Sequence, residues 1–247
     1  MSKNFELLSQ LGEELTSVEP RPGAAAPRNL NELPTRTVKV TTSEDEDALV
    51  QRVFFLSGRE AAKSVVFCAV DQHDGSGSLC ARVGEILAAR TGGRVCLVDA
   101  SLRSPSLQGR YPEENARAGS SKSLEPGGAP VSVRQIGDSN LWLLSAGSRN
   151  AAEASRVSAD RLRDQILQVR GQFDYVLISA PPVSLSADAA VLGQLADGVI
   201  LVVKAGSTRR AAAMKAKESL AASNVRLLGA ILSERSYPIP ESLYRRL

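Results

Sequence analysis

The sequence predicts an α/β fold, in which helices cover both faces of a mostly parallel sheet. Residues 65–70 and 94–98 are short apolar runs rich in β-branched side chains, as expected of strands buried on both faces. Between them, residues 78–90 place apolar side chains at helical spacing, and residues 91–93 (TGG) end the helix. This strand, helix and strand form a βαβ unit. Its right-handed crossover leaves the loop after the first strand at the carboxyl end of the sheet.

Composition indicates an ordinary globular protein. The 247 residues are 43% hydrophobic and 23% charged, with a net charge of +3. Basic residues are mixed with acidic ones and only 4% of residues are aromatic, so we expect no nucleic-acid partner. Cys68, Cys80 and Cys96 lie within apolar patterns, which favours reduced, buried thiols and a cytoplasmic location. Their spacing matches no zinc site, and we expect no metal ligands.

The chain divides into four predicted parts. Residues 1–16 form a short amphipathic helix, residues 17–42 a linker rich in proline and alanine, residues 43–235 the α/β domain, and residues 236–247 a tail. The first helix is either a docking element for another protein or a terminus packed loosely on its own domain, and both interpretations stay open.

The domain contains further strand and helix patterns in order. It begins with a helix that has an acidic first turn and ends with a buried strand. Trp142 falls in one of the strands and is expected in the core. Residues 108–130, rich in Gly, Ser, Pro and charge, predict a long mobile loop. The predicted helices are 43–56, 159–169 and 211–222, and the strands are 141–144, 175–178, 198–203 and 226–232.

The loop that contains Gly75, Ser76 and Gly77 is the candidate phosphate site. Backbone N–H groups at the start of a helix, placed at the carboxyl end of a sheet, point toward one spot and attract anions. The P-loop pattern G-x-x-x-x-G-K-[ST] continues with a lysine for the phosphates and a hydroxyl for Mg²⁺. Here Ser78 and Leu79 follow the glycines, so the cradle lacks its cation.

Three separated segments carry a family resemblance. They are this loop, VDASLRSP at residues 98–105 and FDYVLISAPPV at residues 173–183. In order and spacing they resemble the bacterial tyrosine kinase family, the P-loop kinases of capsule and exopolysaccharide synthesis. The family motifs read PGEGKST, VDADLRRP and FDYVIIDTPPV. The resemblance covers roughly residues 63–232 and implies a P-loop NTPase-like fold in a single domain with an N-terminal extension.

The departures from the family pattern each remove a charge or a polar ligand. Ser78 replaces the loop lysine, Leu79 the hydroxyl, Ser101 the second aspartate of VDAD and Ser179 the aspartate of the third motif. Asp99 is the carboxylate that remains. Because phosphoryl transfer depends on charges placed against the phosphates and Mg²⁺, the sequence predicts a catalytically impaired relative, a pseudokinase.

The pseudokinase interpretation implies a binding or regulatory component of exopolysaccharide or capsule biosynthesis. It expects no cofactor, no metal and no catalytic residue beyond the remnant Asp99. The remnants of the nucleotide loop are Gly75, Ser76, Gly77, Ser78 and Leu79. The resemblance also implies a partner, a membrane chain-length or polysaccharide co-polymerase protein, which would hold the chain at the cytoplasmic face of the inner membrane.

The alternative is an active ATP- and Mg²⁺-dependent protein-tyrosine autokinase with a substituted site. Lys204, Arg103 or a partner's basic residue would replace the loop lysine, and Tyr237 or Tyr244 in the tail would accept phosphate.

Three further positions depart from or match the family. The Glu and Arg repeat that joins family subunits into rings survives only as fragments, such as Asp47 and Arg52, so oligomerisation is possible but this motif is degraded. After the last strand the family usually has an Asn that reads the adenine edge; here the run is Leu232-Ser233-Glu234-Arg235, which weakens adenine recognition. Asp188 either matches a family position or is an ordinary first-turn helix acid.

Overall fold

The computed structural model describes residues 36–39, 43–55, 61–72, 75–101, 105–107, 109–112, 122–124, 131–145 and 159–234. The predicted helix at residues 1–16 and the tail at 236–247, with Tyr237 and Tyr244, lie outside these ranges. So do Asp74 and Arg103.

Nine strands and five α-helices make up the described chain. The strands are β1 (Arg36–Lys39), β2 (Ser64–Ala69), β3 (Val95–Asp99), β4 (Lys122–Leu124), β5 (Val131–Gln135), β6 (Leu141–Ser145), β7 (Tyr175–Ser179), β8 (Gly198–Lys204) and β9 (Leu227–Ser233). The helices are α1 (Ser43–Val50), which continues into a π-helical turn (Gln51–Phe55), α2 (Ser76–Arg90), α3 (Ala159–Gln172), α4 (Asp188–Leu195) and α5 (Arg210–Ala222).

All nine strands belong to one sheet, in the order β1-β9-β8-β2-β7-β3-β6-β5-β4. The seven strands from β1 to β6 in this order run parallel, while β5 and β4 add an antiparallel edge. β2, β3 and β8 are buried almost throughout, which explains their continuous apolar sequences. The predicted mostly parallel α/β sheet is confirmed.

The sheet separates two apolar cores. One face packs against α1 and α2 through side chains such as Leu79, Leu87 and Leu97. The other face packs against α3, α4 and α5, and includes Ile166 and Leu220. Helices therefore cover both faces, as predicted.

Trp142 and the three cysteines occupy the core as expected. Trp142 is buried and meets Phe173 edge-on, with ring centroids 6.1 Å apart. Cys68, Cys80 and Cys96 are buried free thiols.

Two predicted irregular segments contain regular structure. β1 lies inside the predicted linker of residues 17–42 and pairs with β9, so the linker prediction is wrong for these four residues. Within the predicted loop of residues 108–130, β4 pairs with β5, and Tyr111 is buried. Neither strand has a long apolar run. Each depends on pairing with a neighbour, which a local pattern does not reveal.

The Asp197 carboxylate links the amino end of β2 to α3. It accepts the backbone N–H groups of Lys63 and Ser64, each at 2.8 Å, and forms an ion pair of 2.8 Å with Arg170. The Arg170 guanidinium also donates to the Leu195 carbonyl. These contacts fix the end of the sheet opposite the candidate site.

Candidate functional site

The candidate site lies where β2 passes into α2. Gly75 precedes the helix with φ of +73°, a left-handed conformation that glycine adopts without steric cost. Its carbonyl accepts the N–H of Leu79 at 3.0 Å, so α2 begins at Ser76. The start of the helix therefore requires a glycine at residue 75, whatever the loop binds.

The two positions after Gly77 face opposite environments. Ser78 is exposed and accepts a long hydrogen bond of 3.4 Å from Arg82, one turn along α2. Leu79 is 1% exposed and belongs to the core beneath the helix. Cys80, the next residue, is also buried, and both burial and the nearby Asp99 raise the pKa of its thiol. This turn of α2 therefore packs the side chains of Leu79 and Cys80 into the core.

Ser106 packs directly on Gly77. A Cβ atom built on Gly77 would lie 2.1 Å from Ser106 Oγ, 2.5 Å from Ser106 Cβ and 3.3 Å from Ser179 Oγ. The two serine hydroxyls are 3.1 Å apart and share a hydrogen bond. Only a glycine fits at residue 77 while Ser106 holds this position.

Asp99 is buried at the carboxyl end of β3, 1% exposed. Its two carboxylate oxygens accept backbone N–H groups: Oδ1 from Ser101 at 3.2 Å and Oδ2 from Leu107 at 2.8 Å. Hydrogen bonds from backbone amides help to stabilise a buried carboxylate. Here they also hold the backbone at Ser101 and Leu107.

Glu234 brings a second carboxylate to the loop. It follows β9 in a left-handed conformation, with φ of +52°. Its Oε1 would lie 3.5 Å from a Cβ atom built on Gly75. Its Oε2 forms an ion pair of 2.7 Å with Lys204 Nζ. The lysine suggested as a replacement cation is therefore close to the loop but bound to an acidic side chain.

Two acidic residues of α1 contact α2 of the same chain. Glu46 forms an ion pair of 2.6 Å with Arg82, and Asp47 one of 2.9 Å with Arg90. Asp47 is one of the predicted fragments of the ring motif, and it is used within the subunit. Asp188 is the exposed first residue of α4, where an acid favours the helix dipole.

The structure thus brings Gly75, Ser76, Gly77, Asp99 and Ser179 to one edge of the sheet, as the βαβ prediction requires. Sequence reasoning missed Ser106 and Leu107. Their only local signal is that they directly follow the VDASLRSP segment, and their contacts with Gly77 and Asp99 cross between separate elements.

In the part of the chain that is described, no helix is both long and apolar enough to cross a bilayer.

Comparison with known proteins finds similar sequences among tyrosine-protein kinases. No protein-family model matches it. It is 29% identical over 195 residues to the tyrosine-protein kinase YwqD of Bacillus subtilis, covering 79% of this chain and 82% of that protein. It is 26% identical over 183 residues to the succinoglycan biosynthesis transport protein ExoP of Rhizobium meliloti, covering 72% of this chain but only 23% of ExoP.

The fold comparison agrees. The crystal structure of the VpsO kinase domain matches with a TM-score of 0.61 and 21% identity, over 78% of this chain and 96% of that domain. At this identity the match establishes a shared fold, and the sequence match to YwqD supplies the relationship. The chain is a relative of the bacterial tyrosine-protein kinases.

Proposed function

We propose that this chain is a pseudokinase: it keeps the kinase fold, does not transfer phosphate, and acts as a binding or regulatory component of exopolysaccharide or capsule biosynthesis. The observation that carries the proposal is the contact of Ser106 with Gly77 and Ser179. Ser179 occupies the position at which the kinase motif has an aspartate that helps to hold Mg²⁺. Its hydroxyl is engaged by Ser106 instead.

The two glycines do not require a nucleotide. In a phosphate loop, glycines let the backbone approach the phosphates closely. Here Gly75 is explained by its left-handed φ and Gly77 by the close approach of Ser106. The most recognisable feature of the loop is therefore accounted for by contacts within the chain.

The residues at the loop fit Mg²⁺-ATP poorly. Leu79 is packed in the core and offers no hydroxyl, and Asp99 is bonded to backbone amides. Glu234 places negative charge beside Gly75, which repels phosphate, and it also engages Lys204. Removing one charge-stabilising donor typically costs about 2.7–4 kcal/mol of transition-state stabilisation, or roughly 10²–10³ in rate. Several such groups are replaced in this loop.

ATP binding by the full chain, measured by calorimetry with and without Mg²⁺, tests the proposal. We expect a dissociation constant weaker than about 1 mM in both conditions. Micromolar, Mg²⁺-dependent binding together with phosphotyrosine at Tyr237 or Tyr244 would establish the alternative, an active autokinase.

A complementation experiment tests the biological role. The proposed partner is a membrane chain-length or polysaccharide co-polymerase protein, with the chain at the cytoplasmic face of the membrane. Deleting the gene should reduce polysaccharide. Wild type and the double variant Tyr237→Phe/Tyr244→Phe should restore it equally, because neither tyrosine carries phosphate. Restoration by wild type alone contradicts the proposal.

A further inference from the structure

Two described segments after β3 contact the loop corner and α2. Residues 105–107 and 109–112, which we call the strap, contact Gly77 through Ser106 and contact α2 and β5 through Tyr111 and Pro112. Leu107 is 0% exposed and Tyr111 is 7% exposed, so the strap buries two large side chains in the α2 core. It is therefore packed, although its sequence resembles that of a loop.

The first fastening is at Asp99. Oδ2 of Asp99 accepts the buried N–H of Leu107 at 2.8 Å. One residue earlier, Ser106 bonds to Ser179 and covers Gly77. Because Asp99 is the charged partner, this bond is stronger than one between neutral groups, and losing it would leave a buried donor unpaired.

The second fastening is at the far end. The Tyr111 hydroxyl donates to Glu85 Oε1 at 2.5 Å, and Arg110 forms an ion pair of 3.0 Å with Glu85 Oε2. From β5, Arg134 donates to the carbonyls of Tyr111 and Pro112. The strap is thus held between α2 and β5 by charge-assisted hydrogen bonds.

We propose that the strap is a closure over the loop corner that keeps ligands from the Gly77 backbone, and that Asp99 is its positioning residue. This inference rests on the proposed function and gives a structural reason why the same site does not bind nucleotide. In the closed form Ser106 occupies the space above Gly77, so a phosphate-bearing ligand could approach the Gly77 backbone only after the strap has moved. Asp99, the one carboxylate kept from the family motif, serves here to hold the strap.

The cysteines provide a probe of this closure. Cys80 lies in the same core as Leu107 and close enough to Asp99 for the carboxylate to raise its thiol pKa. Cys68 and Cys96 belong to the core on the opposite face of the sheet. Opening the strap should therefore expose Cys80 and leave the other two thiols protected.

The experiment measures native-state labelling rates of each cysteine by iodoacetamide and mass spectrometry on the full chain. In Asp99→Ala we expect Cys80 to label about tenfold faster or more than in wild type, with Cys68 and Cys96 unchanged. Tyr111→Phe, which removes only the far hydroxyl bond, should give a smaller rise confined to Cys80. Asp197→Ala is the matched control. It weakens the opposite end of the sheet, so it should not speed the labelling of Cys80 relative to that of Cys68 and Cys96.

Tyr111→Phe is the deciding variant, because Asp99→Ala also removes the carboxylate that raises the Cys80 thiol pKa and so speeds labelling by itself. The strap proposal fails if Cys80 in Tyr111→Phe labels no faster than in wild type. It also fails if the labelling rate of Cys80 rises only in proportion to the rates of Cys68 and Cys96, as it would through global unfolding. Neither result depends on ATP, so a finding of ATP turnover would overturn the proposed function separately.

Discussion

Replacing Gly77 with alanine tests whether this glycine is needed for packing against Ser106 or for binding a ligand. The new methyl group would meet Ser106 Oγ at 2.1 Å and Ser106 Cβ at 2.5 Å. Overpacking of this kind costs about 1–3 kcal/mol. Alanine in place of glycine within a helix stabilises the folded protein by up to about 1 kcal/mol. We therefore expect Gly77→Ala to lower the free energy of unfolding by about 1 kcal/mol.

Gly171 is the matched control for this substitution. It lies in α3, and a Cβ atom built there meets nothing within 4 Å. Gly171→Ala should gain up to about 1 kcal/mol from helix propensity alone. The two variants should therefore differ by about 2 kcal/mol in urea denaturation.

A double variant identifies the source of the cost. Ser106→Gly removes both atoms that crowd the methyl group, so Gly77→Ala/Ser106→Gly should recover most of the loss assigned to Gly77→Ala, relative to Ser106→Gly alone. If Gly77→Ala is stabilised as much as Gly171→Ala, the contact with Ser106 does not explain the glycine, and the reasoning is refuted.

Substitutions at three other residues follow from the contacts described. Asp197→Ala should lower the free energy of unfolding by about 2 kcal/mol in urea denaturation, and Asp197→Asn by less; a loss under about 0.5 kcal/mol would contradict the assigned hydrogen bonds. Gly84→Ala should cost about 1 kcal/mol by the same assay, because its Cβ would lie 2.6 Å from a leucine of β3 and helix propensity returns part of that cost, and an unchanged midpoint would contradict this. Burial alone would raise the pKa of Glu85, but hydrogen bonds from Arg110 and Tyr111 outweigh it and hold that pKa below its ordinary value of 4.5. A lowered pKa gives stability that is present at higher pH and lost in acid. The free energy of unfolding of wild type should therefore exceed that of Glu85→Gln by less and less as the pH falls below about 4.5. A difference between the two proteins that does not change with pH would contradict the lowered pKa.

The sequence was sufficient for the elements with strong local patterns. Continuous β-branched runs predicted β2, β3 and β8, and helical spacing predicted α2 to end near residue 91. β1 and β4 were missed because each is short and depends on a paired neighbour. Local pattern carries no information about such pairing.

The sequence predicted some features of the candidate site and missed others. The loop and Asp99 were identified because motif residues at strand ends converge at one edge of a parallel sheet. The role of Asp99 as an acceptor for Leu107 could not be predicted, because it depends on where the chain turns after β3. The proximity of Glu234 to Gly75 joins residues from opposite ends of the domain and has no signature in the sequence.

The parallel pairing of β1 with β9 gives the molecule a polarity. Because parallel strands share a direction, β1 begins at the amino end of the strands, remote from Gly75. β9 is followed at the carboxyl end by Glu234, which lies beside Gly75. Arg36 pairs with Gly229, five residues before Glu234, so Arg36 and Glu234 lie about 17 Å apart along β9. Anything attached at these two positions would be held apart by that length of sheet.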